Sequence, residues 1–419
     1  MINETVPEGF QKTEVGIIPN DWKVISIKAI GNIKTGPFGT LLKANEYSQN
    51  EGTPLISVGE IGEGTLRINK HTPLIPKSVV KRLPEYILKY GDIVFGRKGG
   101  VERSALVEKH QEGYFLGSDG IRIRFPNSIN PHFVSYQFQR KSIQIWLLQN
   151  ATGTTMASMN QEILGRVSFP TPPTKDEQTA IANALNDADE LLTRLEKLIA
   201  KKREIKQGAM QELLKPKDDW EVKKLGEIAN IVGGGTPSTF NLTYWNGNIN
   251  WFTPTEIGKT KYTFESVRKI TKQGLDSCSG KLLPVGTILL TSRASIGDIS
   301  ILMNEACTNQ GFQSLVPKSG INNEFVYYLM LTIKSLLIQN ASGSTFLEIS
   351  PNKIRQIEVS IPKSNTEQTR IAQILSDMDA EIEALEKKLE KYKMLKQGMM
   401  QNLLTGRIRL VKNAEARTQ

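Results

Sequence analysis

At 419 residues and 39% hydrophobic content the chain can bury sizeable cores in roughly two to four domains, and no run approaches the roughly 18 apolar residues of a membrane-crossing helix. Two cysteines (Cys278, Cys307) and three histidines (His71, His110, His132) form no metal-ligand spacing and no disulfide framework, and the first residues lack a basic n-region and an apolar h-region; a cytoplasmic chain with no signal peptide and no resident metal is expected. A net charge of +10 with a pI of 9.3 favours a polyanionic partner such as nucleic acid.

The first landmark is Asp21-Trp22. Short β-rich runs follow at 55–58, 93–95 and 121–125, punctuated by Gly, Pro, Asn and Ser, which predicts an irregular α+β domain in place of βαβ winding. One helix is expected just after Pro131. Pro172-Pro173 then precede Thr174-x-x-Glu177, a capping box whose hydroxyl and carboxylate satisfy backbone donors of a first helical turn. Behind it Ile181, Leu185, Ala188, Leu192, Leu195 and Ile199 step by four and three, the spacing of a coiled-coil seam.

The pattern then recurs. Asp219-Trp220 opens a second globular part with runs at 288–291 and 299–303 and a helix expected after Asn322. Pro362 precedes a second capping box, Ser364-x-x-Glu367, and a second seam, Ile371, Leu375, Met378, Ile382, Leu385 and Leu389. Residues 175–214 and 365–404 align without a gap and share 19 of 40 positions, including Glu177-Gln178-Thr179 against Glu367-Gln368-Thr369. The offset falls from 198 at the Asp-Trp pairs to 190 on the helices, so the second globular part is eight residues shorter. The expected division is 1–171 and 216–361 as globular parts, 172–215 and 362–410 as helical spacers, and 411–419 as a flexible tail.

A seam of this strength needs a partner, either the other copy's helix or the chain's own globular part. An intramolecular antiparallel pair is favoured: the internal repeat implies pseudo-two-fold symmetry, which sets the globular parts at opposite ends of rods about 57 Å long at about 1.5 Å per residue. Lys202 and Lys206 stand in the first seam and suggest that the rods part, or meet another subunit, near that end.

Catalytic chemistry leaves no mark. Gly258-Lys259-Thr260 lacks the leading glycine of a P-loop, and Gly233-Gly234-Gly235 lacks the spaced glycines of a dinucleotide or S-adenosylmethionine loop. Thr171-Pro172-Pro173-Thr174 lacks the Asn or Asp first and the aromatic last residue of an amino-methyltransferase signature and reads as a helix entry. The histidines lie outside any metal spacing and read as surface or packing residues.

The globular parts carry the candidates for DNA contact. Lys77, Lys81, Arg82, Arg97, Lys98 and Arg103 populate loops of the first, and Lys259, Lys261 and Arg293 stand among the cations of the second. Such charges neutralise phosphates and position a duplex without reading it, whereas reading requires groups that reach base edges. Candidate readers sit on turns that differ between the copies: Arg97-Lys98 and Ser118 in the first, Ser292-Arg293 and Asn309-Gln310 in the second. Ser118 and Asn309-Gln310 have a plainer alternative as residues that hold a turn. Two further loops contribute Thr154 and Thr155, and Ser344 and Thr345, and the glycine turns at 36–39 and 233–235 are expected to approach the backbone closely.

These residues fall in a familiar order: Pro-Asn-Asp-Trp at 19–22, Gly91-Asp92-Ile93-x-x-x-Arg97, a Pro-Pro-x-x-x-Glu-Gln-x-x-Ile helix entry at 172–181, and a closing Leu403-Leu404-Thr405-Gly406-Arg407. Across essentially its whole length the chain resembles the specificity (S) subunit of type I restriction–modification enzymes. The resemblance implies two α/β-mixed target-recognition domains separated by two long antiparallel helices, each domain reading half of an asymmetric, split site in double-stranded DNA. It also implies docking of methyltransferase (M) subunits, two in number, and through them of restriction (R) subunits. S-adenosylmethionine, ATP and Mg would then belong to the partners, with no cofactor on this chain and no catalysis by it alone. Thr287 and Ser292 depart from the Asp and Arg of the first copy's motif. The alternative reading is a two-headed coiled-coil interaction scaffold that reads no DNA.

Overall fold

A computed structural model describes residues 6–37, 39–48, 50–153, 156–343 and 347–410. The 411–419 tail lies outside them. Two compact units emerge: the first joins Met1–Leu195 to Lys388–Gln419, and the second is the single stretch Glu196–Lys387. Each therefore holds one globular part, the beginning of one long helix and the end of the other.

Among the described residues the globular parts share three sheets, and the first adds a hairpin, Phe10–Thr13 on Gly16–Pro19, that the second lacks. In the first unit a five-stranded sheet runs Asn32–Thr35, Gly120–Arg124, Ile93–Gly96, Ser104–Leu106, Gly64–Thr65. In the second the same order is Ala229–Gly233, Gln313–Pro317, Ile288–Leu290, Ile299–Leu302, Tyr262–Thr263. In both, only the last pairing is parallel. A three-stranded sheet (Leu74–Ile75, Thr53–Ile56, Phe115–Leu116) has its counterpart in Arg268–Ile270, Trp245–Phe252, Ala306–Thr308. A two-stranded ladder closes each part, Lys23–Ser26 on Ser168–Thr171 and Glu221–Lys224 on Glu358–Ile361. The central strands are buried along their length, which is why they read as short apolar runs with no alternation. The expected helices form at Pro131–Phe138 and Asn323–Thr332, each capped by the preceding asparagine.

The long helices, Lys175–Leu213 and Asn365–Leu403, have 39 residues each and span about 58 Å at about 1.5 Å per residue. In the first unit Ile181 and Leu185 enter the core beside Trp22, Phe133 and Phe169, together with Leu403 and Leu404 from the end of the other helix. In the second unit Ile371 and Leu375 do the same beside Trp220 and Phe325, joined by Leu214. The start of each seam thus packs on its own globular part, as the alternative reading had it. Ala188 and Leu192 are half-buried and Leu195 and Ile199 buried; on the second helix Ile382 is buried and Met378, Leu385 and Leu389 half-buried.

Inside the second unit the two helical segments run antiparallel, joined by Lys202–Glu381 at 2.6 Å, Arg203–Glu386 at 2.5 Å and the pair Lys206–Asp379. This corrects the reading of Lys202 and Lys206 as a place where the rods part: both lysines find a carboxylate on the other helix. Lys396 and Asp189 make the matching pair in the first unit. Each of these Lys–Asp pairs meets a tyrosine from the globular part. The Tyr136 hydroxyl lies 2.7 Å from both Asn186 Oδ1 and Asp189 Oδ2, and the Tyr328 hydroxyl lies 2.6 Å from Asp379 Oδ2. Each lysine also sits 5.5 Å over the ring of its tyrosine.

The repeated Glu-Gln-Thr phrase is explained by docking. Gln178 Oε1 accepts the Asn130 N–H at 2.8 Å and Thr179 Oγ1 accepts from Asn130 Nδ2 at 2.9 Å; Gln368 and Thr369 treat Asn322 alike at 3.0 and 3.1 Å. The capping boxes are half as expected. Thr174 Oγ1 accepts the Glu177 N–H at 3.3 Å and Ser364 Oγ accepts the Thr366 N–H at 3.2 Å. The carboxylates turn elsewhere, Glu177 to Arg409 and Glu367 to Lys217 at 2.9 Å. A cation that follows the end of the opposite long helix is a stronger partner for a carboxylate than a neutral backbone N–H.

Candidate nucleic-acid interface

In each unit the predicted reading loops converge at one end of the five-stranded sheet. Strand Ile93–Gly96 runs out into Arg97, whose N–H donates to Asp119 O at 2.7 Å and whose carbonyl accepts the Met159 N–H at 2.8 Å. Gly99 N–H donates to Ala157 O at 2.9 Å, and Gly36 N–H to Gly120 O at 2.9 Å. Gly36, the turn at 97–99, Asp119–Gly120 and Ala157–Met159 are thereby tied together. The second unit repeats the arrangement: Ser292 N–H donates to Gly311 O at 2.8 Å, Ile349 N–H to Ser292 O at 3.1 Å, and Gly235 N–H to Thr308 O at 2.8 Å.

The glycine turns do approach a backbone, but it is the protein's own. A Cβ on Gly36 would lie 1.8 Å from Gly117 O, and one on Gly234 would lie 1.8 Å from Asn309 O. The turn and the facing loop are pressed together, and only glycine permits that contact.

Several candidates gather at this end. Lys98 is exposed there and Arg97 half-buried, while the Arg103 guanidinium lies against Gly100. Ser118 is hydrogen-bonded to Tyr47, whose hydroxyl pKa burial pushes up. Gln310 is exposed and accepts from the Thr236 hydroxyl. Asn309 Oδ1 accepts the Gly311 N–H at 2.9 Å, so this residue holds the turn. Arg293 is exposed and paired with Glu348 at 2.9 Å. Thr154, Thr155, Ser344 and Thr345 lie outside the described residues.

Two candidates are corrected. Ser292, just beyond the end of strand Ile288–Leu290, is 0% exposed and its hydroxyl is buried, so it cannot meet a base. Lys261 is a packing residue: its ammonium bonds Glu324 at 2.9 Å, Ser376 at 2.7 Å and Tyr328 at 3.1 Å, fastening the second long helix to its globular part. Lys259 is exposed and lines, with Asp379 and Glu383, a groove of about 1010 Å³ in the second unit. Lys77 and Lys81 are exposed on a short helix, and Arg82 is engaged with Glu46 at 2.7 Å and with Leu41 O at 3.0 Å.

The Gly91-Asp92-Ile93 landmark is structural. Asp92 is fully buried and receives Arg124 through two bonds of 2.7 and 2.6 Å. Thr287 fills the equivalent place with an internal bond to Pro284 O at 2.7 Å, which accounts for the departure from the first copy. One surface residue escaped sequence reading altogether. Phe240, on the loop that continues from Gly235, is 97% exposed. Its only sequence signal is a lone aromatic among Thr, Pro, Ser and Asn with no apolar periodicity around it.

A family model described as "Type I restriction modification DNA specificity domain" matches residues 19–207 and 217–393. The chain is 42% identical over 176 residues to the type I restriction enzyme MjaIX specificity subunit of Methanocaldococcus jannaschii, a match covering 41% of this chain and 40% of that one. It is 27% identical over 432 residues to the putative MjaX specificity subunit of the same organism, covering 96% and 97%. Among solved structures it is similar in fold to the type I restriction–modification S subunit from M. genitalium, with a TM-score of 0.58 at 17% identity over 91% of this chain and 96% of that one.

Proposed function

The chain belongs to the type I restriction–modification DNA specificity family, and from that membership we propose that it selects the DNA site for a multisubunit type I enzyme. Each unit reads one half of a bipartite, asymmetric target in double-stranded DNA. The long helices set the interval between the halves and carry the docking surface for two methyltransferase subunits, through which restriction subunits join. S-adenosylmethionine, ATP and Mg²⁺ belong to those partners; this chain holds no cofactor and supplies recognition, not catalysis.

One observation carries this reading: two units with the same strand order present different residues on corresponding loops. Where the first carries Arg97-Lys98 the second carries a buried Ser292 followed by exposed Arg293, and where the first carries Gly117-Ser118 the second carries Asn309-Gln310. One scaffold with two loop chemistries suits two unlike half-sites. Exposed Lys77, Lys81, Lys98 and Lys259 supply phosphate neutralisation, and Arg97, Arg293 and Gln310 are the groups with donors suited to base edges. Helices of about 58 Å exceed one turn of B-DNA, roughly 34 Å, so half-sites a turn or slightly more apart fall within their reach.

Sequencing of modified adenines in a host that expresses the complete system reads out both half-sites and their interval. Exchanging residues 20–170 for those of another family member is expected to change one half-site and leave the other half and the interval intact. Both halves changing together would defeat the two-reader scheme. A scaffold that reads no DNA would give no salt-sensitive duplex binding with its partners present.

A further inference from the structure

Below the recognition end of the second unit, two buried tryptophans hold one loop from beneath. Trp251 Nε1 donates to Gly235 O at 2.9 Å and Trp245 Nε1 donates to Ser238 O at 3.1 Å. The two indoles meet edge to face with centroids 5.1 Å apart, and the Arg268 guanidinium lies 3.7 Å over Trp245. Ile270, Leu275 and Cys307 complete this cluster. The far side of the loop is held as firmly. Thr271 Oγ1 donates to Thr243 O and Thr271 N–H to Tyr244 O, each at 2.9 Å, while Asn241 Oδ1 accepts the Thr243 N–H at 3.1 Å.

Between these anchors the tip projects Phe240 at 97% exposure and Leu242 at 80%. Hydrogen bonds brace the loop on both sides of the tip, and the ring stands in solvent. The same loop reaches the reading turn, because the Thr236 hydroxyl donates to the Gln310 side chain.

We propose that Phe240 is a wedge that stacks against, or inserts between, base pairs of the half-site read by the second unit. The inference rests on the DNA-recognition reading and deepens it. Apolar side chains on rigid supports open base steps and kink a duplex, and stacking on an aromatic ring is available to every base. The ring would add dependence on local deformability at a step the loops do not read by hydrogen bonding. A braced loop also loses little freedom when it engages.

The test uses the full chain with its methyltransferase subunits and duplexes that carry the mapped target with 2-aminopurine at successive positions of the second unit's half-site. Wild type is expected to raise the fluorescence at one step. Phe240→Ala is expected to abolish that rise and weaken binding about tenfold, with the slope of log affinity on log salt unchanged because no phosphate contact is lost. Phe240→Trp is expected to keep the rise. An exposed ring supports no core, so the melting temperature of the alanine variant should match wild type. Retention of both the rise and the affinity in Phe240→Ala overturns the wedge, as does loss of copurification with the methyltransferase, which would mark the ring as a protein contact. Absence of target-specific binding by wild type itself would defeat the recognition reading, a result distinct from any difference between variants.

Discussion

Gly406 sits at φ +72°, and a Cβ there would lie 2.6 Å from the Pro19 ring and 3.1 Å from Trp22. Both the conformation and the space require glycine. Three residues on, Arg409 bonds Glu177 and also reaches Asp21 at 3.0 and 3.1 Å. Gly406→Ala is therefore expected to lift this segment and destabilise the first unit by about 2 kcal/mol, measured by thermal melting and by new protease cleavage near 404–409. Glu324 offers a pH test in the second unit. Burial works to raise its carboxyl, and hydrogen bonds from Ser376, Tyr262 and Lys261 outweigh that, holding it below its ordinary value of 4.5. A carboxyl held low only in the folded state stabilises fully above about pH 4.5 and loses that contribution as pH falls through its folded value. The melting temperature of wild type should drop more steeply from pH 5 to 3 than that of Glu324→Gln; parallel curves would refute the assignment. Burial, with Cys278 adding, pushes the Cys307 thiol up to about 12. Iodoacetamide at pH 8 should therefore modify Cys307 only after unfolding.

Among the elements, the long helices were the most legible from sequence, because a four-and-three spacing declares a helix without reference to anything distant. Their partners were not. Lys206 shows as a lysine in an apolar seam until Asp379 is brought to it across 173 positions, and Lys396 meets Asp189 across 207. The capping glutamates misled for the same reason: each had a local use in the first turn and a stronger distant one. Lys396→Met is expected to cost the first unit about 2 kcal/mol by stranding Asp189 beside Tyr136, and adding Asp189→Asn should recover part of it. A double-mutant cycle with no coupling would remove this node as a fastening between helix and globular part.

For the whole molecule, the decisive fact is that the first unit is completed by the chain's far end. Leu403 and Leu404 are core residues beside Trp22, and the buried Gln137 amide donates to Leu404 O at 2.9 Å. Ending the chain after Lys387 should abolish the cooperative melting of the first unit and leave that of the second, which is contained in Glu196–Lys387. A calorimetric trace retaining both transitions would refute this. The duplication, the two capped helices, the paired Asp-Trp openings and the family were all determined by sequence alone, because periodicity, capping and repeated words act over a few residues or survive direct alignment. Tertiary structure alone decided that Lys261 packs while Lys259 is exposed, that Ser292 is buried while Phe240 stands in solvent, and that each unit borrows a helix end from the opposite half. Those outcomes depend on residues that meet far apart in the sequence, from Lys261 and Glu324 across 63 positions to Gln137 and Leu404 across 267, and no local pattern encodes the partner of a charge or the cover of a ring.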